Sequence, residues 1–342
     1  MYCQRKIKEN ITSTAPICIF FLVILLMILT STNFVYSLRN QSNYNVTDLQ
    51  NIHDFQARKV RVGDIDIAYK MFGNGDPILL ISGSGNVMDV WPSYMLQELA
   101  SNHTIIIFDH RGVGNTTLGS KPITIQQLVN DTAGLLDALQ IQSADVLGFS
   151  MGSFVAQQLT LMYPEKVNRL ILYGASCGGG EGIPQSPAVA KILSDFVHNR
   201  TRDTEEFLSI TFPPDWAKSH PDYLESIPTS TETILSSTLE KQFDVVENWL
   251  ATTWNGVCDE LAKISNPVLI ITGTEDVAVP SGNSLILAKK IPGAWLIQIE
   301  RGGHGLMYQY PEKFTAVLYS FLENTERVRI DPYLVNSCIA RW

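Results

Sequence analysis

The sequence has 342 residues, 45% of them hydrophobic, and a formal net charge of −9. This length and apolar fraction are sufficient for a sizeable buried core. The acidic balance, without any run of Lys or Arg, argues against a nucleic-acid-binding protein.

The first 37 residues differ in composition from the rest of the chain. Arg5, Lys6 and Lys8 precede an apolar run over 15–29, after which small and polar residues follow. This order is typical of an export signal, and the run of about 15 residues is shorter than the ~20 residues of a membrane-spanning helix. A cleaved signal peptide and a retained N-terminal membrane anchor both remain open. Either one predicts an extracytoplasmic protein, secreted or membrane-anchored, because the basic flank stays inside.

Beyond this leader, which we place at 1–37, the chain contains three cysteines: Cys177, Cys258 and Cys338. An odd number permits at most one disulfide among them, and their spacing matches no metal-binding pattern. We therefore expect unpaired or partly buried thiols.

From residue 57 onward, strand patterns and helix patterns alternate along the sequence. After a linker over 38–56, period-two alternation on both sides of Gly63-Asp64 predicts a β-hairpin. Short apolar runs then predict strands buried on both faces, separated by segments with helical periodicity. The predicted strands cover 77–81, 103–108, 144–149, 167–173, 267–272 and 294–299, and the predicted helices begin at Thr124, Ser153, Gly282 and Tyr310. Such alternation predicts an α/β fold with a mostly parallel, doubly wound sheet.

The alternation stops between residues 178 and 265, where no run has a strand pattern. This segment has helical patches, several prolines and many aromatic residues. We predict that it is a helical cap inserted into an α/β core over 57–177 and 266–323. Because it leaves the core at the carboxyl end of a strand, where open α/β sheets bind ligands, it should cover the ligand site. Residues 324–342 form a C-terminal tail whose sequence indicates no function.

The strongest motif is Gly148-Phe149-Ser150-Met151-Gly152, between a predicted strand and a predicted helix. A G-x-S-x-G sequence in this context is typical of a nucleophile elbow, a sharp turn that raises a serine above the sheet. The flanking glycines avoid clashes at such a turn. We predict that Ser150 is a catalytic nucleophile; the alternative is a plain turn in which the serine caps the helix.

A serine hydroxyl is a poor nucleophile unless a base removes its proton, and histidine suits this task near neutral pH. Of the six histidines, His304 is predicted as the base because it lies in a glycine-rich loop after the last predicted strand. The acid that orients it should lie between the serine and the histidine in the chain. Asp276 is predicted for this role and Glu275 is the runner-up; an Asx turn or helix cap is the structural alternative.

Two backbone N–H groups should stabilise the negative charge that develops on the substrate's carbonyl oxygen. One is predicted to belong to Met151, which follows the nucleophile, and the other to Ser84, in the glycine-containing loop after the strand 77–81. Trp91, just past this loop, is predicted to line an apolar substrate pocket, with plain core packing as the alternative.

These motifs, in this order, resemble the α/β-hydrolase superfamily over residues 57–323, in the branch of capped serine hydrolases. Besides the elbow, residues 109–114 are similar to the family's D-x-R-G-x-G turn, 273–280 to its acid loop and Gly303-His304 to its histidine loop. This branch contains esterases, enol-lactonases, carbon–carbon bond hydrolases and cofactor-free haloperoxidases.

One departure from the family pattern lies in the oxyanion loop, where Ser82-Gly83 stands in place of the usual His-Gly. The resemblance therefore does not specify how this loop is supported. Asp109 and Arg111 are interpreted as bracing of their own turn rather than as catalytic residues. A serine nucleophile argues against dehalogenases and epoxide hydrolases, because these relatives use aspartate at that position.

The sequence thus predicts a serine hydrolase that cleaves a small ester or lactone through an acyl-enzyme, which requires no metal or organic cofactor. Carbon–carbon bond hydrolysis and perhydrolase or haloperoxidase activity on the same residues are alternatives, as is a non-catalytic ligand-binding protein. The expected partner is the small-molecule substrate. Membrane attachment is expected only through the N-terminal apolar segment, and the sequence does not indicate the oligomeric state.

Overall fold

The computed structural model describes residues 55–199, 205–221, 234–323 and 340–341. The predicted leader over 1–37 and nearly all of the predicted linker and tail lie outside these residues. Within the parts of the chain that are described, no helix combines the length and the apolar character needed to cross a bilayer.

One β-sheet forms the centre of the described structure. Its strands are β1 (Arg58–Val62), β2 (Ile65–Gly73), β3 (Asp76–Ile81), β4 (His103–Phe108), β5 (Ala144–Phe149), β6 (Val167–Tyr173), β7 (Val268–Gly273), β8 (Trp295–Ile299) and β9 (Ala340–Arg341). Their order in the sheet is β1-β2-β4-β3-β5-β6-β7-β8-β9. The pairs β1–β2 and β2–β4 are antiparallel, and every other pair is parallel. The prediction of a mostly parallel sheet is confirmed, and β9 adds a strand that the sequence did not suggest.

The central strands are buried on both faces, which is why they read as continuous apolar runs in the sequence. Every residue of β5 and β7 is buried. Successive side chains of a strand point to opposite faces, so β3 supplies two separate apolar clusters. Leu79 and Ile81 belong to one cluster, whereas Ile78 and Leu80 belong to the other.

Helices cover both faces of this sheet. They are α1 (Ser93–Ala100), α2 (Ile125–Ala138), α3 (Met151–Met162), α4 (Pro187–Asn199), α5 (Glu205–Thr211), α6 (Pro214–Ser219), α7 (Ser236–Leu250), α8 (Gly282–Lys290), α9 (Leu306–Gln309) and α10 (Pro311–Leu322). Apolar residues of α2, α3 and α8 pack in the cluster of Leu79, and those of α1 and α10 in the cluster of Ile78. The doubly wound arrangement is therefore confirmed.

Between β6 and β7 the described chain contains only helical elements, α4 to α7 and short 3₁₀ turns. Part of this insertion has an apolar cluster of its own, built around Phe196, Val197 and Leu239. Near the end of α7, Trp249 stacks on Phe154 of the core at a ring-centroid distance of 5.1 Å. The fold prediction, which included an inserted helical cap, is confirmed.

A disulfide joins Cys177, which follows β6, to Cys258, which precedes β7, across 81 residues of sequence. Both residues are buried, and Val257 N–H also donates to the carbonyl oxygen of Cys177 at 2.9 Å. The expectation of unpaired thiols is therefore wrong for these two cysteines. The sequence spacing could not reveal this pair. The two cysteines lie at the two ends of the insertion, and they meet only because the folded insertion brings its ends together.

Candidate active site

Ser150 lies in a sharp turn between the last residue of β5 and the first residue of α3. Its backbone has φ 54° and ψ −123°, a strained conformation for a residue with a side chain. Two backbone hydrogen bonds hold the turn: Ser150 N–H donates to Tyr173 O at 2.9 Å, and Ser153 N–H donates to Ser150 O at 2.8 Å. The side chain of Ser150 makes no capping bond to α3, so the alternative of a plain helix-capping serine does not describe this turn.

The two glycines of the motif are required by close packing at this turn. A Cβ atom on Gly148 would lie 2.4 Å from the carbonyl oxygen of Gly152, and one on Gly152 would lie 2.0 Å from that of Ile81. Neither distance is compatible with a side chain, so only glycine permits strand and helix to approach so closely. The G-x-S-x-G pattern therefore has a direct steric cause.

Asp276 and His304 lie in the loops that follow the neighbouring parallel strands β7 and β8. The Nδ1 atom of His304 is 2.9 Å from Oδ2 of Asp276. The Asp276 side chain is fully buried, and its Oδ1 accepts a hydrogen bond from Val279 N–H at 2.9 Å. A carboxylate at Nδ1 places the proton there and leaves Nε2 able to accept one. Glu275, the runner-up, is exposed to solvent.

The imidazole of His304 packs beside the residue that precedes Ser150. Its ring centroid lies 4.9 Å from that of Phe149, and the Tyr173 hydroxyl donates to the carbonyl oxygen of His304. Burial, reinforced by the negative charge of Asp276, raises the pKa of Tyr173 well above its ordinary value, so the phenol keeps its proton. Tyr173 therefore connects the histidine loop to the end of β6 through its hydroxyl, while its backbone carbonyl oxygen accepts the hydrogen bond from Ser150 N–H.

Gly174 makes room for the imidazole. A Cβ atom at this position would lie 2.9 Å from Cε1 of His304, and its backbone has φ 59°. Any other residue at position 174 would be strained in its backbone and would push the ring away from its place. The loops after β5, β6, β7 and β8 thus meet at one edge of the sheet, and the structure brings all three predicted catalytic residues to that edge.

The predicted oxyanion loop, residues 82–85, runs directly against the turn at Ser150. A Cβ atom on Gly83 would lie 3.0 Å from the Cβ atom of Ser150. Ser84 follows immediately and is half-buried, whereas Met151 is fully buried as the first residue of α3. N–H groups in the first turn of a helix have no acceptor within the helix, so that of Met151 is available to a ligand. Both predicted donors thus lie on backbone next to Ser150.

His110 supports this loop, a role that the sequence analysis missed. Its Nε2 atom lies 3.1 Å from the carbonyl oxygen of Ser82. The ring is buried, and burial lowers the pKa of His110 despite the opposing effects of the Ser82 carbonyl and Asp131. A neutral imidazole next to a carbonyl oxygen carries its proton on the facing nitrogen and donates it. A histidine from the neighbouring turn therefore braces the loop in which the usual His-Gly is Ser82-Gly83.

Asp109 joins its own turn to the short 3₁₀ turn that begins at Met88. Its Oδ1 accepts from Met88 N–H at 2.7 Å, and its Oδ2 accepts from Asn115 N–H at 3.0 Å. These contacts agree with the interpretation of Asp109 as a bracing residue.

Arg111 is fully buried at the centre of an ion-pair network. Its guanidinium donates to both carboxylate oxygens of Asp131, at 2.6 and 2.7 Å, and to Asp64 at 3.2 Å. It also donates to the carbonyl oxygens of Leu118 and Lys121. The backbone N–H of Lys121, together with Arg111, lowers the pKa of Asp64 well below its ordinary value. These contacts join the β1–β2 hairpin to α2, so Arg111 also acts as a brace.

Trp91 is fully buried in the apolar cluster beneath the site, with its ring 6.3 Å from that of Phe149. The structure therefore places it in packed surroundings, and its contact with substrate stays a prediction. Within the described ranges, no three His, Cys, Asp or Glu side chains come together as a metal site would require.

The family model for the α/β-hydrolase fold matches residues 76–311, which contain the complete candidate site. The chain belongs to the α/β-hydrolase family. Its predicted membership of this superfamily and its prediction as an enzyme of the α/β-hydrolase class are both confirmed.

Several bacterial members of the family are similar over most of the chain. A protein named carbamate hydrolase RutD, from Azorhizobium caulinodans, is 28% identical over 261 residues, which are 76% of this chain and 96% of that protein. One named non-heme bromoperoxidase BpoC, from Mycobacterium tuberculosis, is 31% identical over 272 residues, 77% of this chain and 99% of that protein. The solved structure of an α/β-hydrolase fold protein from Chitinophaga pinensis matches with a TM-score of 0.66 at 26% identity, covering 79% of this chain and 98% of that chain. The relatives differ in the reaction they are named for, so the family alone does not select a substrate.

Proposed function

We propose that this α/β-hydrolase cleaves a small ester or lactone through an acyl-enzyme on Ser150, with His304 as base and Asp276 as the acid that orients it. The observation that carries the proposal is the 2.9 Å contact between Asp276 and His304, at the sheet edge where the strained Ser150 turn lies. A buried carboxylate in this place fixes the imidazole tautomer that can accept a proton.

In the first half of the reaction, Ser150 Oγ attacks the carbonyl carbon of the substrate while its proton passes to Nε2 of His304. The tetrahedral intermediate carries a negative oxygen, which the N–H groups of Met151 and Ser84 stabilise. The bond from the carbonyl carbon to the leaving oxygen then breaks, and that oxygen takes the proton from His304. The products are an acyl-enzyme and a free alcohol, or a hydroxyl still attached to the acyl chain when the substrate is a lactone.

In the second half, a water molecule attacks the acyl carbon and gives a proton to Nε2 of His304. The intermediate collapses with cleavage of the bond between the acyl carbon and Ser150 Oγ, which recovers its proton from His304. The carboxylic acid leaves and the site returns to its initial state. Buried Asp276 stabilises the imidazolium that forms twice in each cycle.

Support for an acyl substrate comes from the residues and from one relative. A hydroxyl nucleophile beside backbone N–H donors suits attack on a carbonyl group. One relative is named as a carbamate hydrolase, and carbamates contain a carbonyl group. The insertion between β6 and β7 begins at the same sheet edge, and its predicted role as a cap over the site favours a small substrate.

A second candidate is perhydrolysis, favoured by the 31% identity to the relative named as a bromoperoxidase. Here the acyl-enzyme forms from a carboxylic acid with release of water. Hydrogen peroxide instead of water then attacks the acyl carbon, and a peroxy acid leaves. Bromide oxidation measured with acetate and hydrogen peroxide separates this activity from ester hydrolysis.

We also propose that the protein works outside the cytoplasm. The N-terminal leader pattern supports this proposal, and so does the buried Cys177–Cys258 disulfide, because such bonds persist mainly in oxidising compartments. Mass spectrometry of the mature N-terminus distinguishes a cleaved signal peptide from a retained anchor.

The test of the catalytic proposal is labelling with a fluorophosphonate probe, followed by turnover of a panel of short-chain esters and lactones. The probe is expected to modify Ser150 and to abolish ester turnover. Ser150→Ala should be neither labelled nor active, with turnover reduced by about 10⁴-fold or more. Ester hydrolysis that survives in Ser150→Ala, or wild-type protein that the probe leaves unmodified, would remove the proposed mechanism.

A further inference from the structure

A corner of the insertion packs directly against the histidine loop. This insertion corner consists of residues 211–213, between α5 and α6. Gly305 N–H, one residue past the predicted base, donates a hydrogen bond to the carbonyl oxygen of Thr211 at 2.7 Å. The next residue, Phe212, is buried in the same apolar cluster of the core as Leu306, the first residue of α9. The insertion therefore reaches beyond its own apolar cluster and into the core beside the histidine loop.

The insertion corner explains why both neighbours of His304 are glycines. A Cβ atom on Gly303 would lie 2.7 Å from the carbonyl oxygen of Thr211, and one on Gly305 would lie 2.4 Å from Cε1 of Phe212. The three atoms nearest to each of these two positions all belong to the insertion corner. Neither glycine has a positive φ, and Gly305 has φ −85°, which other residues adopt without strain. The contact with the insertion, and not the backbone conformation, therefore requires glycine on both sides of the predicted base.

The histidine loop is thus held from two sides. On the side of the core, Gly303 N–H donates to Oε1 of Gln309 at 2.6 Å, and the Tyr173 hydroxyl donates to the carbonyl oxygen of His304. On the other side, the insertion corner binds Gly305 N–H and covers the loop with the ring of Phe212. Because the imidazole projects from this short stretch of backbone, a shift of the loop toward the insertion would carry the ring with it.

From these contacts we infer that Phe212 is a positioning residue for the reaction and that it acts through His304. Its ring closes the outer side of the histidine loop, so that the imidazole stays against Asp276 and within reach of Ser150. The insertion is therefore part of the apparatus that positions the base, in addition to its predicted role as a cap. The inference rests on the proposed ester hydrolysis at Ser150.

The experiment measures kcat and KM of Phe212→Ala for p-nitrophenyl butanoate, a short-chain ester. Both kcat and kcat/KM are expected to fall by about 10²-fold, the effect of displacing a catalytic group by about 1 Å. KM should stay near its wild-type value, since Phe212 acts on the base and not on the substrate. Phe212→Leu keeps an apolar side chain against the loop and should recover most of the lost activity.

Phe196→Ala is the matched control. Phe196 and Phe212 are each 3% exposed, so both substitutions remove a buried ring from the insertion. The ring of Phe196, however, packs within the insertion against those of Phe207 and Phe243, at centroid distances of 4.6 and 5.8 Å. Phe196→Ala should therefore leave kcat close to its wild-type value. A loss as large as that in Phe212→Ala would indicate a general loosening of the insertion and would overturn the inference.

A second pair of variants tests the same contact from the side of the loop. In Gly305→Ala the added methyl group would overlap the ring of Phe212, so the loop must shift and kcat should fall. In the double variant Gly305→Ala/Phe212→Ala the methyl group has room, so the Gly305→Ala change should cost no further activity. Such coupling in kcat is not expected if Phe212 only stabilises the fold.

Wild-type kcat in Phe212→Ala, or a change in KM alone, overturns the inference. The same holds if Gly305→Ala lowers kcat equally with and without the ring of Phe212. If Phe212→Ala does not fold, Gly305→Ala decides, because an unchanged kcat in that variant overturns the inference. In each of these cases ester hydrolysis and fluorophosphonate labelling of Ser150 in the wild type would leave the proposed function intact. Wild-type protein that neither reacts with the probe nor hydrolyses any ester overturns the proposed function, and the inference with it.

Discussion

Buried polar side chains of the α/β core and of the insertion differ in how completely they are hydrogen-bonded. The guanidinium of Arg111 donates to two carboxylates and two backbone carbonyls, all within the core. By contrast, Gln242 and Thr238 of the insertion contact the loops at Gly85 and Gly112, and each leaves one polar atom without a partner among the described residues. A complete network stabilises the fold, whereas the contacts between the insertion and these loops satisfy the buried side chains only in part. Substitutions should therefore affect stability more at Arg111 than at Thr238, and catalysis at the site.

The largest expected effect on catalysis after loss of Ser150 itself comes from Asp276→Asn. The amide would favour the wrong imidazole tautomer, so kcat should fall by about 10³–10⁴-fold with little loss of stability. Glu275→Gln is the matched control, because Glu275 is exposed and the contact to His304 comes from Asp276. Steady-state kinetics of the two variants measure the difference. If Glu275→Gln proved the more damaging, the assignment of the acid would have to be exchanged.

A smaller but still large effect, on stability this time, is expected for Arg111→Met. It leaves the buried Asp131 carboxylate without its partner, which should lower the free energy of unfolding by about 3–5 kcal/mol. Arg61→Met, which breaks the exposed pair between Arg61 and Asp66, should cost at most about 1 kcal/mol. Urea denaturation measures both. Equal losses in the two variants would contradict the bracing role of Arg111.

Replacement of His110 should change how stability depends on pH. Because the pKa of His110 is lowered in the folded protein, the unfolded chain binds a proton below about pH 6.5 that the folded protein does not. Its contribution to stability is therefore complete above that pH and is lost as the pH falls toward the folded-state value. His110→Gln keeps a donor for the Ser82 carbonyl but cannot titrate, so it should remove a slope of up to about 1.4 kcal/mol per pH unit. Urea denaturation of both proteins between pH 7 and pH 5 provides the measurement. If stability depended on pH equally in His110→Gln and in the wild type, the prediction would be wrong.

The smallest expected effect sharpens the comparison most directly. Thr238→Val should not lower the free energy of unfolding, because the buried hydroxyl that it removes has no hydrogen-bond partner among the described residues. Thr116→Val is the control: its buried hydroxyl donates to Asp109 O and accepts from Ala68 N–H, each at 2.8 Å. The control should cost about 1–3 kcal/mol, since two buried backbone groups lose their partner. Similar costs at both positions would show that Thr238 is bonded within the protein.

The parts of the molecule that sequence reasoning predicted are those with a local physical cause. Strands buried on both faces require continuous apolar runs, so β3 to β8 could be found from such runs. The backbone contacts around Ser150 are too close for a Cβ atom, so glycine is required on both sides of it. The turn can therefore be predicted from five consecutive residues. Asp276 lies in the segment 273–280 that is similar to the family's acid loop, and the structure places it against His304.

The parts that it missed depend on contacts between residues far apart in the chain. His110 braces Ser82 across 28 residues, and Gln242 reaches Gly85 across 157. A single polar residue in a helix or turn carries no periodic signal, so nothing in the sequence distinguishes Gln242 from an exposed glutamine. Strand β9 has two residues, too few to show alternation, and is defined only by its pairing with β8.

The disulfide between Cys177 and Cys258 gives the molecule an unusual response to proteolysis. It closes the insertion into a covalent ring, and the nucleophile lies on the chain before that ring while the acid and the histidine lie after it. One backbone cut anywhere from 178 to 257 would therefore leave the two fragments linked. A nicked protein should migrate as one species without reductant and as two with it, and hydrolytic activity should be able to outlast the cut until the bond is reduced.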